Sequence, residues 1–206
     1  MTDLKDEIQR WQSRYGGPDY FYGTEPNDFL AASVAAIPAG GAVLCLGEGE
    51  GRNAVFLAAR GHLVTALDQS SAGLAKAQRL AAERAVRLEV VEASLGDYVF
   101  SPHAWQAVVS IWCHLPTALR EVVHRDVVTA LAPGGVVVLE SYTPAQISHG
   151  TGGPRDLDLL PTLDVLRTEL QGLIFEHALE CERVVIEGAG HRGLSAVVQV
   201  VARKPG

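Results

Sequence analysis

Two features of the sequence carry the chemistry of a bound ligand: the stretch Gly47-Glu48-Gly49-Glu50-Gly51 and the carboxylate of Asp68. Glycines at alternate positions leave the backbone unobstructed, so a bulky ligand can lie against amide hydrogens that point outward. A carboxylate closing the next apolar run can accept hydrogen bonds from both hydroxyls of a ribose. Together they outline one adenosine-binding half-site. A glycine-rich turn alone is weak, since glycine ends many strands for steric reasons; the order strand, turn, helix, strand, acid carries the reading.

A second set of polar residues follows the later apolar runs: His114, Tyr142, His149, Arg155 and His191. In a parallel α/β sheet the reaction site lies beyond the carboxyl ends of the strands, which selects them as candidates to meet a substrate. His114, in I-W-C-H-L-P, is the candidate base, because an unperturbed imidazole titrates near working pH. The competing role is a hydrogen bond to the end of the helix that follows. Cys113 reads as a small buried residue, and nothing in the spacing of His114, His149 and His191 supports a metal site. Tyr20 and Tyr22, in the aromatic loop Y-F-Y-G-T-E-P-N, either cover the ligand or pack as core.

These residues need a scaffold, and the apolar pattern supplies one. Ala42 to Leu46 and Leu63 to Leu67 are short runs that fit buried strands, with a helix over Arg52 to Arg60 between them. Ser70 or Ser71 caps the next helix, which carries Leu74, Ala77 and Ala81 on one side. Leu88 to Val91, Ala107 to Ile111 and Val136 to Leu139 give three further strands. Pro116 opens a long helix whose buried face is Leu119, Val122, Val123, Val127, Ala130 and Leu131. Tyr142 to Pro161 is long for a connection and reads as a lid or substrate loop, with a helix after it near Thr162 to Leu170. Phe175 to Glu187 and Ser195 to Arg203 are two strands joined by Gly188 to Gly193, a hairpin that makes the last strand antiparallel. At the front of the chain, Thr2 to Tyr15 is an amphipathic helix with Leu4, Ile8, Trp11 and Tyr15 in one stripe. A second helix carries Leu30, Val34 and Ile37. Both are expected to cap the ligand site.

With 206 residues, 48% hydrophobic and 20% charged, the chain suits one domain with a full-sized core. The expected organisation is a single domain over 1–206, with 1–37 as its helical cap. A net charge of -7 without a Lys/Arg cluster argues against nucleic acid as partner. No apolar stretch reaches membrane-spanning length, and M-T-D-L-K-D-E-I lacks the apolar core of a secretory signal, so the cytoplasm is the expected location. Cys45, Cys113 and Cys181 are far apart and suggest neither a disulfide framework nor zinc. The oligomeric state is not legible.

A parallel α/β sheet that opens on G-x-G-x-G and finishes in an antiparallel hairpin resembles the class I S-adenosylmethionine (SAM) dependent methyltransferases. More narrowly, W-x-x-R-Y at Trp11 to Tyr15, Y-G-T-E-P-N-D-F-L at Tyr22 to Leu30, G-E-G-R-N at Gly49 to Asn53 and T-G-G-P at Thr151 to Pro154 resemble the small bacterial methyltransferases related to the tellurite-resistance protein TehB. The resemblance implies a Rossmann-like three-layer sandwich, with a mostly parallel seven-stranded sheet and one antiparallel strand near the C-terminus. It also implies SAM as cofactor and a small-molecule methyl acceptor, either a thiol or a metalloid species. By position it places Gly47, Gly49 and Gly51 along the methionine and ribose of SAM, Asp68 on the ribose hydroxyls, and Ser94 and Leu95 beside the adenine, with Asn53 and Gln69 completing the set. Cys45 stands where the family pattern begins with an acid, and Ser94 where an aspartate is frequent. Glu48 or Glu50, or backbone carbonyls, are then left to meet the SAM ammonium, and Arg14 or Arg52 its carboxylate. Two other classes compete: a non-catalytic SAM-binding module, and a nicotinamide-dependent oxidoreductase. The second is disfavoured because its fingerprint needs G-x-G-x-x-G.

Overall fold

The computed structural model describes residues 4–206, with side chains from Ile8 onward. The start of the expected first helix at Thr2, and the place of Leu4 in its stripe, lie outside the described residues. Helix α1 runs Leu4–Tyr15 and α2 Asp28–Ser33, followed by a short 3-10 turn over Val34–Ala36. The alternating part is β1 (Ala42–Leu46), α3 (Arg52–Ala58), β2 (Leu63–Asp68), α4 (Ser71–Glu83), β3 (Glu89–Glu92), β4 (Trp105–Ile111), α5 (Thr117–Ala130) and β5 (Leu131–Tyr142). Helix α6 (Leu163–Glu169), β6 (Ile174–Glu187) and β7 (His191–Arg203) complete the chain.

The sheet is seven-stranded in the order β3-β2-β1-β4-β5-β7-β6, with β7 antiparallel to both of its neighbours. β1 is parallel to both β2 and β4, but the chain steps to one side of it for β2 and β3 and to the other for β4 and β5, so the connections leave in opposite directions and a crevice opens at the carboxyl ends of β1 and β4. Alternation along β1 decides the layers. Val43 and Cys45 face α2 and α3, packing with Leu30, Ala54 and Leu57, whereas Leu44 and Leu46 face α5 and α6, packing with Val123, Val127 and Leu166. Three layers follow from one period-two pattern.

Three expectations are corrected. The strand expected at Val136 to Leu139 begins at Leu131, straight after α5, and is irregular where Trp105 pairs with Leu131 but Ala107 with Val136. The last hairpin is tighter than expected: β7 starts at His191, so that Glu187 pairs with His191 across a turn at Gly188 to Gly190. Val122 is exposed rather than in the buried face of α5, and Arg120 and His124 are buried instead. The cause lies in α6, whose Glu169 accepts hydrogen bonds from Arg120 Nε at 3.1 Å and meets His124 Nδ1 at 2.7 Å. A charged residue turns inward where a partner waits, which apolar periodicity cannot foresee.

Candidate active site

The turn after β1 is shaped by close approach. Gly49 has φ +60, and a Cβ there would lie 2.7 Å from the Tyr15 hydroxyl. Gly51, at φ +91, faces α4 instead, where a Cβ would meet the Cβ of Ala77 at 2.5 Å. Gly51 therefore serves helix packing, Gly47 makes room for Cys113, whose Sγ a Cβ would meet at 2.9 Å, and Gly49 makes room for Tyr15. Asp68 ends β2 at the same edge and is buried. Its Oδ2 accepts from Gly49 N–H and its Oδ1 from Ser70 N–H, each at 2.8 Å. Burial raises its pKa, and the amide hydrogen bonds hold the rise back. A carboxylate offers about four acceptor sites, so Asp68 retains capacity for ligand hydroxyls. Gln69 is half-buried beside it. Beyond β3, Ser94 donates to Asp97 at 2.7 Å, while Leu95 packs on the α5 side of the core.

The charged neighbours of the turn are engaged by the protein. Glu48 Oε1 accepts from the amides of Asn53 and Ala54 at 3.0 and 2.9 Å, capping α3. Burial raises its pKa to about 7, and it receives the thiol of buried Cys45. Glu50 is paired with Lys76 at 2.7 Å and accepts from Tyr22 N–H. Arg52, expected near a carboxylate of the ligand, is instead in a buried ion pair with Glu187 at 2.5 Å, and Asn53 Oδ1 accepts from Asn27 N–H at 2.9 Å. Arg14 donates to the Tyr22 hydroxyl at 2.9 Å and lies over the rings of Trp11 and Phe21.

Across the crevice stands a continuous stack of rings from four separate segments. Tyr22 lies on His191 (centroids 4.8 Å apart), His191 on Trp112 (5.1 Å), Trp112 on Tyr142 (4.4 Å) and Tyr142 on His114 (5.6 Å). The Tyr142 hydroxyl is 2.7 Å from His191 Nδ1, and His114 Nδ1 is 3.2 Å from Ser141 Oγ. Burial lowers the pKa of His114 to about 4 and of His191 to about 3, and raises that of Tyr142. Every group of the stack is therefore uncharged at neutral pH. The lid presses on it: Gln146 donates to Thr151 Oγ1 and Gly152 O and accepts from Ala196 N–H, holding T-G-G-P against β7.

Of the expected substrate residues, Tyr22, Tyr142, His114 and His191 are thus brought together, and three others are not. Tyr20 packs with Val55, Leu80 and Ala81 and donates to Lys76 O at 3.2 Å, behind the turn. His149 pairs with exposed Glu182 at 3.1 Å, and Arg155 is exposed on the lid. Among the described residues no group of His, Cys, Asp and Glu side chains is gathered as metal ligands would be.

Sequence reasoning missed the polar cluster beneath the stack. Asn27 Nδ2 donates to Glu140 Oε2 at 2.6 Å and to Glu187 Oε1 at 2.8 Å. Arg183 Nε donates to Glu140 Oε1 at 2.8 Å, and Trp112 Nε1 donates to Glu187 Oε2 at 2.6 Å. Trp112 has φ 55, a left-handed conformation that a bulky residue adopts only under constraint. Its backbone amide donates to Glu140 O, so both ends of the residue are tied to the cluster. One signal was available: an acid inside the β-branched run Val136 to Tyr142 is out of place unless a buried partner meets it.

The neutral imidazoles give an acid sensitivity with a definite sign. In the unfolded chain a histidine takes up its proton near pH 6.5, whereas His191 resists until about 3. Its contribution to stability is present above pH 6.5 and is lost as pH falls from there toward 3. Glu48 and Asp68, raised by burial, act in the opposite sense, so the effect is read as a difference. The thermal midpoint of His191→Phe should fall less steeply than that of the parent between pH 6.5 and 4.5; parallel profiles would refute the buried neutral imidazole.

The described geometry fits an adenosine-bearing cofactor: a glycine turn at positive φ after β1 and a buried acid with acceptor capacity stand side by side at the carboxyl edge of the sheet. Comparison with known proteins agrees. Residues 43–135 match a family described as a methyltransferase domain. No curated protein matches by sequence. Among solved structures, one reported for the conversion of a disulfide bond into a thioacetal group during echinomycin biosynthesis superposes with a TM-score of 0.77 at 21% identity, covering 100% of this chain and 92% of that one. The N-methyltransferase NodS from Bradyrhizobium japonicum gives 0.66 at 15% identity, with both chains fully covered. TehB from Haemophilus influenzae gives 0.68 at 17%, covering 96% of this chain and 67% of its own. At these identities the superpositions speak for the fold alone. Over residues 43–135 the chain matches a methyltransferase domain, and across its length it has the fold of solved SAM-dependent methyltransferases. TehB shares this fold, and SAM is the cofactor that the domain match implies.

Proposed function

We propose that the chain transfers a methyl group from SAM to a small acceptor that is already nucleophilic, a thiolate or a reduced metalloid species. The observation that carries this is the uncharged ring stack: His114 and His191, the imidazoles beside the crevice, have pKa values of about 4 and about 3, which makes them poor bases at pH 7. A hydroxyl or ammonium acceptor would have to lose a proton to such a group. A soft anion needs only to be placed.

Bound SAM supplies a methyl group on a positively charged sulfur, open to in-line displacement. The protein's own part is to bind and orient. Asp68 would accept ribose hydroxyls, the backbone of the turn from Gly47 to Gly49 would meet the ligand, and Gln69, Ser94 and Leu95 would border its base. Tyr22, Trp112, Tyr142 and His191 form the wall against which the acceptor is held and from which water is excluded. Orientation of this kind supplies ~7 to 11 kcal/mol of barrier lowering. The described chain acts as a single domain, with its N-terminal helices up to Ile37 covering the site: Asn27 ties that segment to β5 and β6, and Ala189 N–H donates to Phe21 O at the hairpin.

Turnover of SAM by purified protein, offered thiols, metalloid oxyanions with reductant, and amines, tests the assignment. With a thiol, His114→Ala should retain most of the parent rate at a pH where the thiolate is present. A loss of ~100-fold or more that persists at high pH, the usual contribution of a general base, would overturn the soft-nucleophile reading.

A further inference from the structure

Strand β6 is the last of the sheet, and among the described residues no strand pairs with its outer edge. In an antiparallel ladder a residue turns both backbone groups either toward its partner strand or away from it, alternating along the chain. Here β7 sets the phase. Arg192 N–H donates to Thr151 O at 3.1 Å, Leu194 O accepts from Thr151 Oγ1 at 2.7 Å, and Ala196 N–H donates to Gln146 Oε1 at 2.8 Å, so these residues turn their backbone groups toward the lid. Their partners on β6 are Ile186, Val184 and Glu182, which therefore turn their own N–H and C=O groups to the open edge. Of these, Val184 O is met by Arg183 Nη1 at a long 3.4 Å.

The same residues carry an apolar face. Arg183 and Glu187 point inward to the polar cluster, so the alternate set points outward. Val184 is 59% exposed, Ile186 72%, and Leu194, directly across from Val184, 44%. An open edge with such side chains is a template for another strand unless charge or proline blocks it, and β6 contains no proline. Its charges are ordered rather than spread: exposed Glu182 stands at one end of the patch, and exposed Arg192, beside Ile186, at the other. A copy of the strand laid antiparallel on this edge reverses the order and brings acid end to basic end.

We propose that this edge joins two copies of the chain, β6 pairing antiparallel with β6 of the partner about a two-fold axis at Val184. Val184 and the partner's Val184 then exchange two backbone hydrogen bonds, as opposed residues of a close pair do. Leu194, Val184, the partner's Val184 and the partner's Leu194 form one apolar row across the axis. In the rows on either side, Glu182 faces the partner's Ile186, with the partner's Arg192 behind it. An exposed pair of this kind adds little affinity but fixes direction and register. The interface uses the same patch twice and closes at two copies. Because β6 and β7 also deliver Glu187 and His191 to the ring stack, pairing at the edge braces that stack.

Sedimentation velocity of the full chain should show a species of twice the chain's mass that dissociates on dilution. Amide exchange read residue by residue should slow with rising concentration at Glu182, Val184 and Ile186, but not at Arg183 and Val185, whose amides face β7. Val184→Lys sets two ammonium groups against each other on the axis and should raise the dissociation constant ~100-fold or more, since opposed like charges are strongly unfavourable at an interface. Glu182→Arg should weaken the dimer, and Glu182→Arg combined with Arg192→Glu, which restores opposite charges across the axis, should recover it. A parent that stays monomeric at every concentration overturns the proposal. So does a folded Val184→Lys that associates as tightly as the parent, or a dimer whose edge amides exchange at a rate independent of concentration.

Discussion

Replacing Glu187 by alanine is expected to cost ~3 to 5 kcal/mol of stability, the range found when one partner of a buried ion pair is removed. The Glu187 carboxylate is buried and receives Arg52, Trp112 Nε1 and Asn27 Nδ2 at 2.5 to 2.8 Å. Burial alone would raise its pKa, but Arg52 and the indole N–H more than reverse this, so it is held below the usual glutamate range. In Glu187→Ala the Arg52 guanidinium stays buried without its counter-charge, and Trp112 loses the tie that keeps it at positive φ. The loss should appear in the denaturant midpoint, together with reduced ring-stack packing in near-ultraviolet circular dichroism. Glu182→Ala is the control: Glu182 is exposed, its contact with His149 is a surface pair, and its removal should cost less than about 1 kcal/mol. A Glu187→Ala protein as stable as the control would mean that the cluster does not anchor the stack.

The second large effect concerns ligand binding. Asp68→Ala should weaken S-adenosylhomocysteine by about 1.5 to 3 kcal/mol, or roughly 10- to 150-fold, since hydrogen bonds to a charged acceptor fall in that range. Deletion also frees the amides of Gly49 and Ser70, so the turn itself loosens and the effect should sit at the upper end. Asp68→Asn, which retains one carbonyl acceptor, should fall between the two. Titration calorimetry on samples of matched thermal midpoint reads the affinity directly. Equal affinity for Asp68→Ala and parent would remove Asp68 from the site.

These two residues also divide what was legible in the chain from what was not. The half-site at Gly47, Gly49 and Asp68 could be read in advance because it is made locally, by a strand, a turn and the next strand. The alternation of strand and helix and the closing antiparallel hairpin were readable for the same reason, and the family resemblance supplied the seven-stranded sheet. Residues that act on partners close in sequence announce themselves. Glu187 is of the other kind. Its ion pair with Arg52 spans 135 positions, and the Asn27 contact with Glu140 spans 113. Only the curl of the last hairpin over the end of β4 brings these charges together.

Protonation was equally out of reach. From sequence His114 is an ordinary imidazole and a natural base, whereas folding buries it beside Tyr142 and lowers its pKa to about 4. Arg52, one of two candidates by position for a ligand's carboxylate, is paired with Glu187, and Tyr15, read as one member of an apolar stripe, presents its hydroxyl at the glycine turn. Hydrophobic periodicity and glycine spacing determine where elements form, because those depend on the backbone and on neighbouring residues. The charge state and partner of a polar side chain depend on its desolvation and on groups from distant segments, and both exist only once the tertiary structure has formed.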